Sequence, residues 1–480
     1  MKRLPPRSSL LLVALLAACG GGGGGGIIPG IGGGGGGGGT CAAGLSQASG
    51  GGAVDAATIA PSVANEIVLQ LRPGANIAQV AADYGFTVRS QFGSRPIFLA
   101  TVASDRTVAS TLAAMAGDVR VLYAEPNLIG AAPEGRRCSV WSIGSQSAFQ
   151  TQWAPEALRL TAAQSLSQGD GVRVAVLDTG AELTHPLLAS RLARRGDGTL
   201  LGRDFVDDDA DPSERGSRAD AGYGHGTHVA GLVALTAPGA RIMPIRVLDP
   251  SGGGNVWVLS EALLYAVDPD GNPATDDGAH IINMSIGTIQ PTSLLVNAVR
   301  LASCEIDDDD DEDDFADAGF DDDRERCVGR RGAAVFAAAG NSGSATEQQY
   351  PAAEARTVPG ALAVTASTEA RRLASFSNFG NWVQVAAPGE GITSSVPGGG
   401  YGVWSGTSMA SPIAAGVAAL VTLRPAPDPQ GFSGLRAWSP RDLVTRVNDR
   451  TAALCGSTSL RQIDAFAAVS DSSGLDPSCP

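Results

Sequence analysis

The sequence predicts an α/β protein in which a small ferredoxin-like α+β domain precedes a large domain built on a parallel sheet with helices on both faces. Two observations indicate this fold class. Between Glu66 and Ile129, extended and helical runs follow one another in the order β-α-β-β-α-β, which is the ferredoxin-like pattern. From Gly171 onward, apolar β-rich runs alternate with helical ones, which is typical of a parallel sheet covered by helices.

The first 18 residues have the features of an export signal. Basic residues precede an apolar run from Leu10 to Ala17, which is too short to span a bilayer stably. The four residues ending at Cys19 resemble the lipobox of bacterial lipoproteins, and this resemblance implies that Cys19 is acylated. We then expect an exported protein held on a bacterial envelope membrane by a lipid anchor only. An ordinary cleaved signal, which would make the protein secreted, is the alternative.

Two segments are predicted to connect the folded parts. Residues 19–62 are expected to be a disordered tether, because glycine, serine and alanine dominate from Gly20 to about Gly52 and cannot bury enough apolar surface. Residues 131–169 form a predicted connector and processing region. Pro133, Arg136 and Arg137 make part of it suited to proteolytic cutting.

The predicted small domain covers residues 63–130. Apolar residues that alternate or run together indicate strands, and helical spacing indicates helices. The clearest of the expected elements are a strand at Ile67–Leu71, a helix at Ile77–Tyr84, a strand at Ile97–Val102, a helix at Thr107–Ala116 and a closing strand at Val119–Tyr123.

The predicted large domain covers residues 170–480. Its clearest strands read as nearly continuous apolar runs, as expected where both faces of a sheet are covered. These strands are Val172–Leu177, Arg241–Leu248, His280–Ser285, Ala333–Ala338 and Leu362–Ala366.

The formal net charge of -15 argues against nucleic acid as a partner, because phosphates require a basic surface. Much of the acidity lies in Asp204–Asp211 and Asp307–Asp323, and we interpret the second run as an inserted surface loop. Clustered carboxylates could bind Ca²⁺, but EF-hand spacing is missing, so a solvated loop is favoured. The acidic stretch from Asp268 to Gly278 is likewise interpreted as a plain turn. The predicted chemistry requires no cofactor and no metal, and a structural Ca²⁺ is left open.

The chain has seven cysteines, and six remain if Cys19 carries lipid. An exported chain enters an oxidising compartment, which favours disulfides over free thiols. The preferred short-range bridges are Cys304 with Cys327 and Cys455 with Cys479.

Three separate segments carry the residues that serine-based amide hydrolysis needs: a nucleophile, a base and a carboxylate that orients the base. Asp178 directly follows a predicted strand, so its carboxylate is expected at the carboxyl edge of the sheet, where catalytic groups gather. His225 stands between glycines at the start of a helical run. Ser408 stands at another helix start, where Pro412 is tolerated in the first turn.

At these residues the chain is similar to the subtilisin family of serine peptidases. The family's three signatures occur in its order, at Val174–Gly180, His225–Gly231 and Gly406–Pro412. The resemblance implies that Asp178 orients His225, that His225 deprotonates Ser408, and that Ser408 attacks the scissile carbonyl.

Two further stretches extend the resemblance. Ala337–Gly343 contains Asn341 where the family places its oxyanion asparagine, so the Asn341 amide and the Ser408 N–H are the implied oxyanion donors. Asn283–Gly287 looks like the substrate-pairing strand, which implies that Ser285, Ile286 and Gly287 bind an extended peptide through their backbone. Small residues, including Ala338 and Gly340, suggest a roomy apolar pocket for the side chain before the cut.

The other histidines have structural interpretations. His228 is expected in the packing face of the helix that begins at His225, His185 matches a structural position of the family, and His280 opens a strand. None of them has a partner at the spacing that a metal site requires.

The predicted small domain resembles the inhibitory propeptide of the same family, including its last stretch, Val121–Asn127. The resemblance implies a domain that templates folding and blocks the cleft until it is cut off. We expect autocleavage between about Asn127 and Gln150. A bridge between Cys41 and Cys138 would keep the propeptide side attached afterwards.

The sequence therefore predicts an exported serine endopeptidase whose partners are protein substrates and its own propeptide. A catalytically silent relative that serves as a binding module is the main alternative, but all four chemical positions are intact. A purely structural surface lipoprotein would explain the tether but not the triad.

Overall fold

The structure is a computed structural model that describes residues 61–132, 139–272, 275–304, 332–424, 438–457, 459–470 and 472–474. For residues 139–144 only the backbone is described. The predicted signal, Cys19, nearly all of the tether and the acidic run 307–323 lie outside these residues. Among the described residues, no helix has the length and apolarity that crossing a bilayer requires.

The small domain has the predicted β-α-β-β-α-β order. Its elements are β1 (Ser62–Leu71), α1 (Ile77–Tyr84), β2 (Phe86–Gln91), β3 (Ile97–Val102), α2 (Val108–Met115) and β4 (Val121–Ala131). The strands form an antiparallel sheet in the order β2-β3-β1-β4. Local signals fix the helices: Asn76 accepts from the Ala78 N–H at the start of α1, and Gly85 ends it with φ 68°. Thr107 and Ser110 form a capping box on α2.

The large domain contains a nine-stranded sheet in the order β16-β17-β13-β12-β11-β10-β6-β8-β7. All its neighbouring strands are parallel except the antiparallel pair β16 and β17. Its strands are β6 (Arg173–Asp178), β7 (Arg203–Asp204), β8 (Arg241–Arg246), β10 (Ile281–Met284), β11 (Ala334–Ala338), β12 (Ala361–Ser367), β13 (Val385–Pro388), β16 (Thr451–Ala453) and β17 (Arg461–Ile463).

Helices cover both faces of this sheet. They are α6 (His225–Thr236), α7 (Val256–Val267), α8 (Ser293–Ser303), α9 (Thr407–Thr422), α10 (Pro440–Asp449) and α11 (Ala465–Ser470), with short 3₁₀ turns at Ala189–Arg191 and Ala352–Glu354. On β6, Val174 and Val176 join the core under α6 and α9, whereas Ala175 and Leu177 join the core under α7 and α8. This alternation, with both faces apolar, confirms the predicted parallel sheet.

Part of the predicted connector folds onto the large domain. It contains β5 (Ser139–Gly144), α3 (Gln146–Thr151), α4 (Trp153–Ala157) and α5 (Leu160–Gln164). Phe149, Leu158 and Leu160 are buried, and β5 joins a three-stranded antiparallel sheet with β14 (Ile392–Val396) and β15 (Gly400–Trp404). The stretch from 139 to 164 is thus structured and anchored, while Pro133, Arg136 and Arg137 lie outside the described residues. The domain boundaries themselves stay predictions.

The small domain packs on α7 and α8 through the sheet face opposite its own core. Its own core contains Ile67, Leu69 and Val80, whereas Val68 and Phe92 join the core that includes Trp257 of α7. The Phe92 and Trp257 rings meet edge to face, with centroids 5.6 Å apart. The last strand, β4, also pairs antiparallel with β9 (Gly253–Asn255) of the large domain.

Two of the predicted bridging cysteines lie at described positions. Cys304, after α8, and Cys455, after β16, each take part in a disulfide bond. Cys327 and Cys479 lie outside the described residues, so both pairings stay predictions.

Candidate active site

Asp178 is the last residue of β6, at the carboxyl edge of the sheet, and it is fully buried. Its Oδ1 lies 2.7 Å from His225 Nδ1 and accepts a 2.7 Å hydrogen bond from the Thr179 N–H. A buried carboxylate that accepts from a ring nitrogen holds the imidazole in one orientation and one tautomer. The structure therefore brings two of the three predicted catalytic residues into direct contact.

Two glycines allow His225 to come this close to the strand end. Gly224 precedes α6 with φ 86°, a conformation that favours glycine. A Cβ on Gly226 would lie 2.0 Å from the Gly180 carbonyl oxygen and 3.0 Å from Asp178 Cβ, so no side chain fits there. The Gly226 N–H donates to Thr179 Oγ1 at 2.9 Å. The small residues on both sides of His225 thus set the distance between the start of α6 and the end of β6.

Ser408 is the second residue of α9, and its contacts place it at the same edge of the sheet as Asp178. β10 is the parallel neighbour of β6, with Met284 opposite Leu177, so Ser285 follows β10 where Asp178 ends β6. The Ser408 hydroxyl donates to the Ser285 carbonyl oxygen at 3.2 Å, and the Ser285 hydroxyl donates to the Ser408 carbonyl oxygen at 3.0 Å. The start of α9 is therefore fastened to the strand end beside Asp178.

Helices α6 and α9 pack closely, and small residues allow it. A Cβ on Gly416 would lie 2.5 Å from Thr236 Cβ. Both helices start at the same edge of the sheet, with His225 as the first residue of α6 in contact with Asp178 and Ser408 as the second residue of α9 in contact with Ser285.

Asn341 follows β11, which is the next parallel strand beyond β10. Its Oδ1 accepts from the Thr407 N–H and from the Thr407 hydroxyl, both at 2.9 Å. Since the carbonyl side of the amide is held by Thr407, the Nδ2 donor is directed to the other side of the amide carbon. Ser408 lies in the first turn of α9, where N–H groups have no intrahelical acceptor. This pair of donors suits a developing oxyanion.

The predicted substrate-pairing strand already holds a peptide, namely the end of the small domain. The Ala131 N–H donates to the Gly287 carbonyl oxygen at 2.9 Å, and the Gly287 N–H donates to the Ala131 carbonyl oxygen at 3.1 Å. On its other side, this segment pairs with β9, with Gly130 opposite Gly254. Gly130 and Ala131 thus run between two strand segments as an extended substrate would.

The side chains of the remaining predicted binding residues have structural surroundings. Ile286 is fully buried in the core under α7 and α8, so only its backbone is available to a peptide. Ala338 is buried at the end of β11. Gly340 has φ 100°, and a Cβ there would lie 2.5 Å from Gln349 Oε1. The place of Ala338 and Gly340 in a side-chain pocket stays a prediction.

The small domain also caps two helices of the large domain, which the sequence did not predict. Glu125 accepts from the Ser293 and Leu294 N–H groups at 2.9 and 3.1 Å, at the start of α8. Asn127 Oδ1 accepts from the Trp257 N–H at 3.2 Å, at the start of α7. Burial raises the pKa of Glu125, and the hydrogen bonds from α8 oppose that rise. These contacts fix the small domain beside the cleft.

Residues that sequence patterns did not single out complete the surroundings of His225. The Trp404 ring stacks on His228 at a centroid distance of 4.9 Å, and its centroid lies 5.8 Å from that of His225. Burial, with a smaller contribution from His225, lowers the pKa of His228 to about 3. His228 is therefore neutral in the pH range in which histidine ordinarily titrates, and its ring packs against Trp404.

Three carboxylates form an acidic cluster on the stretch that we interpreted as a plain turn. Ligand atoms of Asp268, Asp270 and Asp277 all lie within 4.8 Å of one another. Arg195 Nη2 lies 3.4 Å from Asp277 Oδ2, so the cluster is partly neutralised. Oxygen ligands at this spacing suit a hard cation such as Ca²⁺.

Comparisons with known proteins agree with this geometry. Residues 169–454, more than half of the chain, match the subtilase family model, and residues 50–127 match the fervidolysin N-terminal prodomain. A thermophilic serine proteinase of Bacillus sp. (strain AK1) is 34% identical over 325 residues, which cover 65% of this chain and 66% of that relative. The chain thus spans just under two thirds of this relative's length.

Two further comparisons gave the following matches. Thermitase of Thermoactinomyces vulgaris is 34% identical over 280 residues, which cover 56% of this chain and 81% of thermitase. The solved structure of a cold-adapted subtilisin-like serine proteinase matches with a TM-score of 0.45 at 30% identity, covering 62% of this chain and 90% of that one.

Proposed function

Because the chain belongs to the subtilase family of serine peptidases, we propose that it is an endopeptidase that cleaves proteins through Asp178, His225 and Ser408. The observation that carries this proposal is the buried 2.7 Å contact between Asp178 Oδ1 and His225 Nδ1, at the sheet edge to which Ser408 is fastened through Ser285. A neutral His225 that donates from Nδ1 to Asp178 has an Nε2 free of hydrogen, which is the atom that a general base needs.

In the proposed reaction, Nε2 of His225 accepts the Ser408 proton while Oγ attacks the carbonyl carbon of the peptide. The new oxyanion is bound by the Asn341 amide and the Ser408 N–H. The imidazolium, stabilised by Asp178, then gives its proton to the leaving amine, and the acyl-enzyme forms. Water then attacks the acyl carbon while His225 takes its proton, and His225 returns that proton to Ser408 Oγ as the acyl C–O bond breaks, which releases the second product and restores the Ser408 hydroxyl.

We further propose that the small domain is an inhibitory propeptide removed by the chain itself, within the predicted window from Asn127 to Gln150. Support comes from Gly130 and Ala131, which occupy the path between β9 and Gly287. A cut C-terminal to Ala132 agrees with this placement, because the paired segment then lies on the acyl side of the bond.

A fluorophosphonate probe tests the nucleophile. Wild-type mature protein should be labelled at one serine, and Ser408→Ala should abolish labelling and caseinolytic activity. Ser190→Ala, which changes an exposed serine of a surface 3₁₀ turn, is the matched control and should leave both unchanged. A Ser408→Ala protein that still carries label, or that still appears at its processed size, would contradict the assignment or the self-cleavage.

Two finer proposals concern calcium and export. The Asp268, Asp270 and Asp277 cluster is proposed to hold a structural Ca²⁺, and Asp270→Asn should abolish any rise in Tm that Ca²⁺ gives over a chelator. Export with acylation of Cys19 is proposed from the sequence. Mass spectrometry of the mature N-termini reports acylation and propeptide removal together, and Cys19→Ala should remove the lipid mass.

A further inference from the structure

A second carboxyl group, that of Glu214, lies behind the Asp178–His225 pair. Glu214 Oε2 accepts from the Thr227 hydroxyl at 2.8 Å and from the Thr227 N–H at 3.2 Å, both in the first turn of α6. Part of the residue is exposed, but Oε1 is shielded from solvent and makes no hydrogen bond of good geometry with a described residue. Glu214 is therefore aimed inward, and it is attached to the turn that carries His225.

The backbone of Glu214 is attached to the other half of the pair. The Glu214 N–H donates to the Ala181 carbonyl oxygen at 3.0 Å, and the Ala181 N–H donates to the Pro212 carbonyl oxygen at 3.0 Å. A Cβ on Gly180 would lie 2.7 Å from that same Pro212 oxygen, so the loop is pressed against the turn that follows Asp178. One residue thus joins the strand end that bears Asp178 to the helix start that bears His225.

Within the part of the chain that the structure describes, no cation forms an ion pair with the Glu214 carboxyl. Asp178 adds negative charge from β6, and Tyr223 and Glu182 lie in the loops on either side. The next residue, Arg215, points to Asp211, at 3.2 Å. Burial raises the pKa of Glu214 to about 7, the charge of Asp178 adds to the rise, and polar groups of Thr179, Gly224 and Thr227 oppose it. Its charge consequently changes in the pH range in which a histidine base works.

We propose that Glu214 is a positioning residue of the peptidase reaction, which holds the start of α6 in register with the end of β6 and places a second carboxyl group behind the Asp178–His225 pair. The inference rests on the proposed function.

Glu214→Gln tests the charge while it keeps an oxygen that accepts from Thr227. In the self-processed protein, we expect kcat to fall about tenfold, which is less than the roughly 10²- to 10⁴-fold contribution of a general base itself because Glu214 acts on His225 only through the helix start, with KM within about twofold of wild type. The acid limb of the pH profile should move to lower pH by on the order of half a unit, because a nearby negative charge no longer favours protonated His225.

Two further variants serve as a control and as an independent test. Glu261→Gln removes a carboxyl on α7 whose pKa burial also raises, and it should leave the pH profile unchanged. Thr227→Val removes one hydrogen bond that lowers the pKa of Glu214, so the part of the pH profile that depends on Glu214 should move to higher pH. This variant tests the inference even if Glu214→Gln does not fold.

The outcomes separate cleanly. A Glu214→Gln protein with wild-type kcat and an unmoved acid limb would overturn the inference, as would a lower Tm with no change in the profile. Fluorophosphonate labelling of the wild-type and Glu214→Gln proteins reports Ser408 independently. Labelling of both supports the proposed function whatever Glu214 does, whereas no labelling of wild type would refute that function and this inference with it.

Discussion

Asn341 is held through its carbonyl oxygen, which accepts from both the N–H and the hydroxyl of Thr407. Asn341→Leu should lower kcat by about 10²- to 10³-fold with little change in KM, a magnitude established for the corresponding donor in subtilisin itself. The loss is expected in kcat because the donor binds charge that exists only in the transition state. Steady-state kinetics on a chromogenic peptide measure it.

Asn341→Asp is the control for folding, because it keeps the oxygen that Thr407 needs while it replaces the donor by a second, negatively charged carboxylate oxygen. Its Tm should match that of wild type while its kcat falls at least as far as that of Asn341→Leu. Wild-type turnover by Asn341→Asp would show that the amide nitrogen does not serve the oxyanion.

His228 couples stability to pH. Its pKa in the folded protein is about 3, below the ordinary value of 6.5, so the unfolded chain binds a proton more readily. The contribution of neutral His228 to the free energy of unfolding is complete above about pH 6.5. This contribution is lost as the pH falls towards 3, by at most about 1.4 kcal/mol for each pH unit. His228→Phe, which retains a ring on Trp404, should reduce this slope. Urea unfolding of Ser408→Ala proteins at several pH values measures it, and equal slopes would exclude the effect.

At the scale of single residues, the sequence predicted those with a local signature. Asp178, His225 and Asn341 each follow a strand or begin a helix in a recognisable stretch, and their catalytic roles stay predictions. Glu214 and Trp404 have no such signature. Only the tertiary structure brings these two residues close to the site.

Helices and strands were predictable where the element was long enough for its pattern of apolar residues to be recognised. The helix α1 begins and ends at the predicted residues, and the five predicted strands of the large domain all form. The helices α3, α4 and α5 were missed because five or six residues contain little more than one turn of periodicity. Their apolar residues are the signal that could have indicated burial.

The contact between β4 and α7 sets a size limit in the proposed substrate path. A Cβ on Gly130 would lie 3.0 Å from Leu259 Cδ1 and 3.5 Å from the Gly287 carbonyl oxygen. Peptides with glycine at the matching position should therefore be cleaved about tenfold more efficiently than peptides with valine there. Leu259→Ala should remove most of this preference. The ratio of kcat/KM for the two peptides is the measurement.

Val258→Ala, on the same helix but one position away, is the control and should retain the preference. If Leu259→Ala retains it as well, Gly130 does not mark a position in the substrate path.

Across the whole molecule, the docking of the small domain was the least predictable feature. Its fold follows from local patterns, but the two helix caps and the aromatic contact with α7 join residues more than a hundred positions apart. Gln70, on the same face of β1 as Val68, is fully buried, and neither atom of its amide has a hydrogen-bond partner among the described residues.

An unpaired buried amide costs about 1 to 3 kcal/mol, so it weakens the association of the two domains. Gln70→Leu should therefore slow the loss of the propeptide after processing by about tenfold. A time course of the appearance of activity after dilution measures this delay. Gln79→Leu, on the exposed side of α1, should show the wild-type time course, and an unchanged delay in Gln70→Leu would argue that the amide does not affect docking.

Pairing on either side of the proposed cut has a consequence for how the precursor matures. On the N-terminal side of the cut, Ala131 is hydrogen-bonded to Gly287. On the C-terminal side, β5 pairs antiparallel with β15, with Ser139 opposite Trp404. Cutting the peptide bond between these two paired segments would release neither new terminus at once, because each terminus stays hydrogen-bonded to its neighbouring strand. Maturation then has two steps, cleavage and release of the small domain. A cleaved but still inhibited species should accumulate between them.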